Sequence, residues 1–271
     1  METSELKVFL CENQSWERAL IYAWNKHNHG ELLAVAHSTI RFWDLRYYID
    51  SRTIDSSQDY SVPKADITVL NGNLAINAYH EFGCFDNSFV ECEALRYGYL
   101  DKYQPRLRRE KKKKESINVL ILGDYMPSAT LKMLELLEVS SINMQGKYIF
   151  TIKPHPNFIV KSSDFPMLKL EVTMNPLGEI MSEFDVAYSG NLTTAALDAY
   201  LAGLPVIVAF DDTELNFSPL RRCEGVSFVS NSEELTTALV DVNWSEGIKP
   251  IPREFFCLDS NLTKWKELLS L

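Results

Sequence analysis

Two short stretches carry residue types suited to phosphate chemistry. The first, Lys153-Pro154-His155-Pro156-Asn157, follows the apolar run Tyr148–Ile152. It puts an ammonium and an imidazole on a loop whose φ angles are stiffened by two prolines. The second, Ser189-Gly190-Asn191-Leu192-Thr193-Thr194, follows the apolar run Asp185–Tyr188 and opens a helical spacing of Leu192, Ala195, Ala196, Ala199 and Tyr200. Small side chains, hydroxyls and free backbone N–H groups at a helix N-terminus suit a phosphate, because that end carries unsatisfied donors and about half a positive charge. Taken alone, this stretch reads more readily as a helix capped by Ser189 or Asn191. Its pairing with the histidine loop turns the reading towards phosphate. If the two preceding strands are neighbours in a parallel sheet, both loops leave its carboxyl edge, where open α/β sheets bind ligands.

Acid–base chemistry needs a carboxylate or imidazole elsewhere in the chain. Glu12 and His37 each follow a predicted strand, and either can serve as a general base. A carboxylate can instead act as nucleophile in a retaining reaction. Glu17 falls within a predicted helix and reads as a surface charge; Glu93 is a further candidate. Arg96 can pair with a carboxylate through two parallel hydrogen bonds, or form a structural ion pair. Gly123-Asp124-Tyr125 ends another strand and is a candidate contact for a nucleobase or sugar. Asp211-Asp212-Thr213-Glu214 reads either as a contact for ribose or sugar hydroxyls or as an exposed acidic loop.

The elements that must position these residues alternate. Lys7–Cys11, Leu32–Ala36, Asp66–Leu70 and Ser88–Cys92 read as strands, with helices over about Trp16–Asn28, capped by Ser15, and Leu74–Phe82. The irregular aromatic stretch 41–64 reads as a long loop, a frequent place for function. The charged stretch 105–116, with Lys111–Lys114 at its centre, breaks the rhythm and reads as a solvated linker, with contact to anionic lipid the lesser reading. Strands then resume at Ile117–Leu122, Tyr148–Ile152, Leu168–Val172, Asp185–Tyr188, Val206–Ala209 and Gly225–Val229. Helices read from Ser128 to Val139, Pro176 to Glu183, Ser232 to Val240 and Asn261 to Leu271. The expectation is an α/β protein with two Rossmann-like domains and parallel sheets flanked by helices. Residues 1–104 form a reduced first domain, 105–116 a basic linker, and 117–271 a second domain with a terminal helix.

Bulk properties narrow the function. A formal net charge of −10 over 271 residues gives no whole-chain signal for nucleic acid. Five cysteines lack C-x-x-C spacing, which fits a reducing compartment and neither a disulfide framework nor a zinc site. The opening residues are polar, and no apolar run is long enough to span a bilayer. The expected location is the cytoplasm, with the basic linker a means of peripheral contact with the inner membrane.

Two such domains, a linker and a terminal helix able to pack back across the linker resemble a GT-B glycosyltransferase. Lys153-Pro154-His155-Pro156 resembles the His-Pro motif of bacterial transferases that use CMP-activated acidic sugars, including polysialyltransferases and Kdo transferases of capsule and lipopolysaccharide assembly. Ser189–Thr194 resembles their serine/threonine-rich nucleotide motif. Glu12-Asn13-Gln14-Ser15-Trp16-Glu17, Ala36-His37-Ser38-Thr39, Asn71-Gly72 and Ala94-Leu95-Arg96-Tyr97 resemble bacterial surface carbohydrate biosynthesis proteins. The resemblance implies transfer of Kdo or another nonulosonic acid from a CMP donor to a surface polysaccharide or lipid-linked glycan. It puts Lys153, His155, Pro156, Ser189, Gly190, Asn191, Thr193, Thr194, Gly123 and Asp124 around the donor nucleotide, Glu12 or His37 at the catalytic position, and Arg96 on an acidic sugar. It implies no cofactor beyond the nucleotide sugar and no metal. GT-B first domains usually hold more than four strands, so a second copy or a partner chain is expected to complete this one. A UDP-N-acetylhexosamine 2-epimerase-like enzyme and a non-catalytic nucleotide-sugar-binding subunit are the alternatives.

Overall fold

The computed structural model describes residues 6–41, 43–48, 50–53, 61–81, 89–102, 116–144, 148–242 and 255–270. Most of the basic linker lies outside them. Two compact units result: Met1–Lys102 with Ile251–Leu271, and Tyr103–Pro250.

The first unit is built on four parallel strands in sequential order: β1 (Lys7–Leu10), β2 (Leu32–Val35), β3 (Ile67–Leu70) and β4 (Phe89–Glu91). All four expected strands are present. Helix α1 (Ser15–Lys26) brings Ile21 and Trp24 onto one face, against Phe9, Leu32 and Ala34. Helix α2 (Asn73–Glu81) contributes Ala75 and Tyr79 to a smaller cluster with Leu70 and Tyr47.

Three expectations fail in this unit: Glu17 as a surface charge, Ser15 as the helix cap, and the terminal helix as part of the second domain. Glu17 is not a surface charge: it is 1% exposed. Its carboxylate accepts from the backbone N–H groups of Glu12 and Gln14, each at 3.0 Å, and from the Cys11 thiol at 3.5 Å. It forms a capping box with Gln14, which displaces Ser15 from the cap position. The terminal helix, α7 (Thr263–Leu269), belongs with the first unit. Trp265, Leu268 and Leu269 cover Leu33, Val35, Val69 and Cys92, on the face that α1 leaves open.

The second unit holds six parallel strands: β5 (Ile117–Leu122), β6 (Tyr148–Lys153), β7 (Glu171–Val172), β8 (Val186–Ser189), β9 (Val206–Ala209) and β10 (Val226–Val229). Their order is β10-β9-β8-β5-β6-β7. The strands before the two candidate phosphate loops, β6 and β8, are therefore not neighbours; β5 lies between them. The chain fills the sheet outward from β5 on one side, then returns to β8 and fills the other, so β5 and β8 flank the switch point.

Side-chain alternation sends Val119, Ile121, Tyr188, Ile152 and Ile207 to one face. There they pack on α3 (Pro127–Asn143) and α6 (Ser232–Val240) through Met133, Leu134, Leu137, Leu235 and Leu239. α3 opens with Pro127 at its first position and has no side-chain cap, so Ser128 does not cap it. On the other face α5 (Ala195–Leu201) packs on β8 and β9, and α4 (Leu177–Ile180) packs on α5.

Candidate functional site

The carboxyl edge of the second sheet gathers three loops at its switch point. At the end of β5, Gly123 donates its N–H to the Lys153 carbonyl at 3.0 Å. A Cβ there would lie 2.9 Å from the His155 nitrogen and 3.0 Å from Pro154 Cα. Only glycine lets the β5 end and the His-Pro loop lie this close. His155 Nδ1 accepts from the Asn157 N–H at 3.2 Å, and its ring stands edge-on to Tyr125 at 5.3 Å. With Nδ1 accepting, a neutral His155 carries its proton on Nε2, which is then a donor. Pro154 is buried and Pro156 exposed.

Lys153 is used differently from the expectation. Its ammonium donates to the carbonyls of Asn175 at 2.7 Å and Met174 at 3.4 Å, fastening the segment after β7. Asn191 is also structural. Its amide donates to the Leu215 carbonyl at 2.8 Å, and its Oδ1 accepts from the Ser218 N–H at 3.1 Å. Thr193 Oγ1 accepts from the Ala195 N–H at 3.3 Å as α5 begins, and Thr194 holds the cap position without a side-chain bond. The helix therefore starts later than the apolar spacing suggested. Ser189 is fully buried, with its hydroxyl unpartnered.

Asp124 is fully buried rather than presented to a ligand. Its Oδ1 accepts from the Met126 N–H and its Oδ2 from the Leu192 N–H, both at 3.1 Å. It thus ties the β5 loop to the Ser-Gly-Asn turn. A Cβ on Gly190 would lie 2.6 Å from that Oδ2. Beside this tie, between α3 and the ends of β8 to β10, is a cavity of about 380 Å³. Met133, Leu136, Phe210 and Val229 give it apolar walls, and Asp211 and Glu214 stand among its lining residues. Hydrogen bonds from the Thr213 hydroxyl and N–H hold the Asp211 carboxyl below the usual range. Glu214 pairs with Lys132 at 3.8 Å.

The first unit brings together Glu12 and His37. Residues 10 and 35 are register partners, so both lie two positions past paired strand ends. Their side chains meet at 3.3 Å, His37 Nε2 to Glu12 Oε1. Glu12 Oε2 lies 3.7 Å from an Arg46 guanidinium nitrogen, and Arg46 is itself bound to Asp44. No motif announced Arg46; its only sequence signal was a place in the aromatic loop. Arg96 lines a cavity of about 80 Å³ with His37, Asn71 and Trp265. Glu93 is withdrawn from chemistry. It is 4% exposed, and its carboxylate accepts from the backbone N–H groups of Lys264 at 2.8 Å and Trp265 at 3.1 Å.

No family model and no curated protein matches the chain. Solved structures do. TarM aligns with a TM-score of 0.52 and 12% identity over 97% of this chain and 55% of its own. Anabaena HepE in complex with UDP-glucose gives 0.53 and 11%, over 97% and 78%. A putative UDP-N-acetylglucosamine 2-epimerase from Listeria monocytogenes gives 0.56 and 12%, over 92% and 70%. The fold is GT-B-like. The matches run through both units, and the chain spans little more than half the length of TarM. Among the described residues no group of three or more His, Cys, Asp and Glu could hold a metal ion. No described helix is long and apolar enough to cross a membrane.

Proposed function

We propose that this chain is a glycosyltransferase that binds a nucleotide sugar at the carboxyl edge of its second sheet. The observation that carries this reading is the convergence at the β5/β8 switch point of Gly123, His155 and the Ser189–Leu192 turn beside the 380 Å³ cavity. His155 would donate Nε2–H to a donor phosphate. The turn would offer the backbone N–H groups of Gly190 and Asn191, since Asp124 already takes that of Leu192, and the cavity would take a less charged part of the donor. Lys153 and Asn191 support these loops rather than touch the ligand. In the first unit the Glu12–His37 pair would activate an acceptor hydroxyl, with Arg96 near an acidic group.

The His-Pro resemblance favours a CMP-linked nonulosonic acid such as Kdo, moved onto a surface glycan. The cavity favours a second donor. Lys132 lines it as well and pairs with Glu214, but the carboxylates of Asp211 and Glu214 together leave one negative charge in excess of that ammonium. They would disfavour an acidic sugar and accept hydrogen bonds from a neutral one, as in a UDP-hexose.

Calorimetric titration of the chain with CMP, CMP-Kdo, UDP and UDP-glucose separates these readings. Losing a hydrogen bond to a charged phosphate costs about 1.5–3 kcal/mol, so His155→Ala should weaken the preferred nucleotide by about 10–100-fold. Undiminished binding would remove His155 from the site. Cytidine-only binding supports the acidic-sugar reading, and uridine-only binding the neutral one. NMR of the products then distinguishes transfer from 2-epimerisation, and the absence of both would leave a nucleotide-sugar-binding subunit.

A further inference from the structure

We infer that β1 and α1 form a two-fold interface with a second copy of this chain, joining two first sheets edge to edge. β1 is the outer strand of the order β1-β2-β3-β4. Lys7 and Cys11 donate their N–H groups inward, to the carbonyls of Glu31 at 3.0 Å and Val35 at 2.8 Å. Alternation turns the N–H and C=O groups of Val8 and Leu10 the other way, to the open edge. Among the described residues no strand pairs there. Val8 and Leu10 are register partners of Leu33 and Val35, so they share the face that α7 covers. The cover stops short of β1: Val8 is 51% and Leu10 60% exposed. Such an edge is a template for another strand. Between Lys7 and Cys11 the strand carries neither the proline nor the charge that would blunt it.

The helix layer is unfinished on the same side. Glu17, Ile21 and Trp24 turn α1 towards the sheet. Arg18 and Asn25 donate to the carbonyls of Pro63 at 3.2 Å and Lys64 at 3.0 Å, on the approach to β3. At about 100° per residue, Trp16, Leu20 and Ala23 fall on the opposite flank, beside the open edge of β1. Trp16 is 60% exposed, Ala23 is exposed and Leu20 half-buried.

A second copy completes both layers with one axis, normal to the sheet. Antiparallel pairing centred on Phe9 sets Val8 opposite the partner's Leu10, and Leu10 opposite the partner's Val8, as hydrogen-bonded pairs. Every outward N–H and C=O of Val8 and Leu10 then finds a mate, and the exposed side chains of these residues cover one another. The same axis keeps both copies of α1 on one face, antiparallel. Paired strands lie about 4.8 Å apart, and α1 sits over β1 and β2, about half that spacing inside the edge. The two helix axes therefore come about 10 Å apart, the separation of packed helices. With the axis passing near Leu20, Trp16 meets the partner's Ala23, so a large side chain enters the room a small one leaves. One patch serves both copies, as a two-fold contact requires. The carboxyl edges of the joined sheets point opposite ways, so the Glu12–His37 pair of each copy keeps its own edge.

Sedimentation equilibrium of the full chain at micromolar concentration should give twice the monomer mass of 31.0 kDa. Val8→Lys would bury an ammonium at the strand contact, and Trp16→Glu would put a carboxylate at the helix contact. Both positions are exposed in the single chain, so each variant should keep the wild-type far-UV circular dichroism. The dimer dissociation constant should rise about 10-fold or more in each. Hydrogen exchange at the Val8 and Leu10 amides should be slow in the wild-type chain and fast in Trp16→Glu, which a dimer built on another surface would not show. A wild-type monomer would overturn the inference, as would a dimer that both variants leave intact. Slow Val8 and Leu10 amides in a monomer would also overturn it, by showing that the chain covers its own edge.

Discussion

At the scale of single residues, the second unit's edge depends on Asp124 and Gly190 occupying one place. The Asp124 carboxylate takes the Leu192 N–H, a donor that an incoming phosphate would otherwise use. It can do so only because residue 190 has no side chain, since a Cβ there would lie 2.6 Å from Oδ2 and 3.0 Å from Met133 Sδ. Gly190→Ala should cost about 1–3 kcal/mol through overpacking. Asp124→Ala should cost a similar amount by leaving two backbone donors unpaired. The double variant should be more stable than the sum of the two losses predicts, because removing the carboxylate makes room for the methyl. Urea denaturation of all four proteins measures this coupling, and strict additivity would show that the two residues do not share the space.

At the scale of elements, strands were legible where burial leaves an unbroken apolar run. Ile117–Leu122 and Val206–Ala209 appear with the boundaries the sequence suggested, and Ser232–Val240 does so as a helix; its cap, Asn231, whose side chain accepts from the Glu234 N–H at 2.9 Å, comes from the structure. What the sequence hid is non-local. Apolar runs do not encode strand order, so β5 could not be placed between β6 and β8. A capping glutamate looks like any helix-surface glutamate, so Glu17 was misread. The pairing of Glu12 with His37 needs the β1–β2 register, although each residue was identifiable alone. The terminal helix was visible as a helix, but its partner face lies far back in the chain, where Glu93 accepts from Lys264 and Trp265, and the Trp265 indole donates to the Glu93 carbonyl at 2.8 Å. That docking makes a prediction at its own scale. Trp265 is 9% exposed, and Trp265→Ala should cost about 3–5 kcal/mol. Hydrogen exchange should rise in β2 and β3 as well as in α7. A rise confined to α7 would mean that the helix adds nothing to the sheet beneath it.

At the scale of the whole molecule, the buried thiols of Cys11 and Cys92 and the half-buried one of Cys223 set how the protein responds to alkali. Burial raises Cys11 to about 11, Cys92 to about 12 and Cys223 to about 11, from a starting value of 9.0. Desolvation is the leading cause for each; for Cys92 the neighbouring Glu93 adds to it. Burial also pushes the Tyr47 and Tyr188 hydroxyls upward. In the unfolded chain these thiols release their protons near the ordinary value, while the native chain keeps them. The native state therefore binds more protons above that value, and stability falls as pH rises. The contribution is fully present below pH 9 and is lost as pH climbs towards 11 to 12. The protein already carries a net charge of −10 at neutral pH, so each further ionisation also adds self-repulsion. Unfolding free energy should therefore be level from pH 7 to 8 and decline steadily by pH 10.5, and Cys92→Ala should flatten part of that decline. The same shift keeps the thiols in their unreactive form at pH 8. Cys11, Cys92 and Cys223, located by peptide mass mapping, should react with a disulfide reagent far more slowly in the native chain than in urea. Rapid native labelling at those positions, together with a flat stability profile to pH 10.5, would show that burial does not hold their protons.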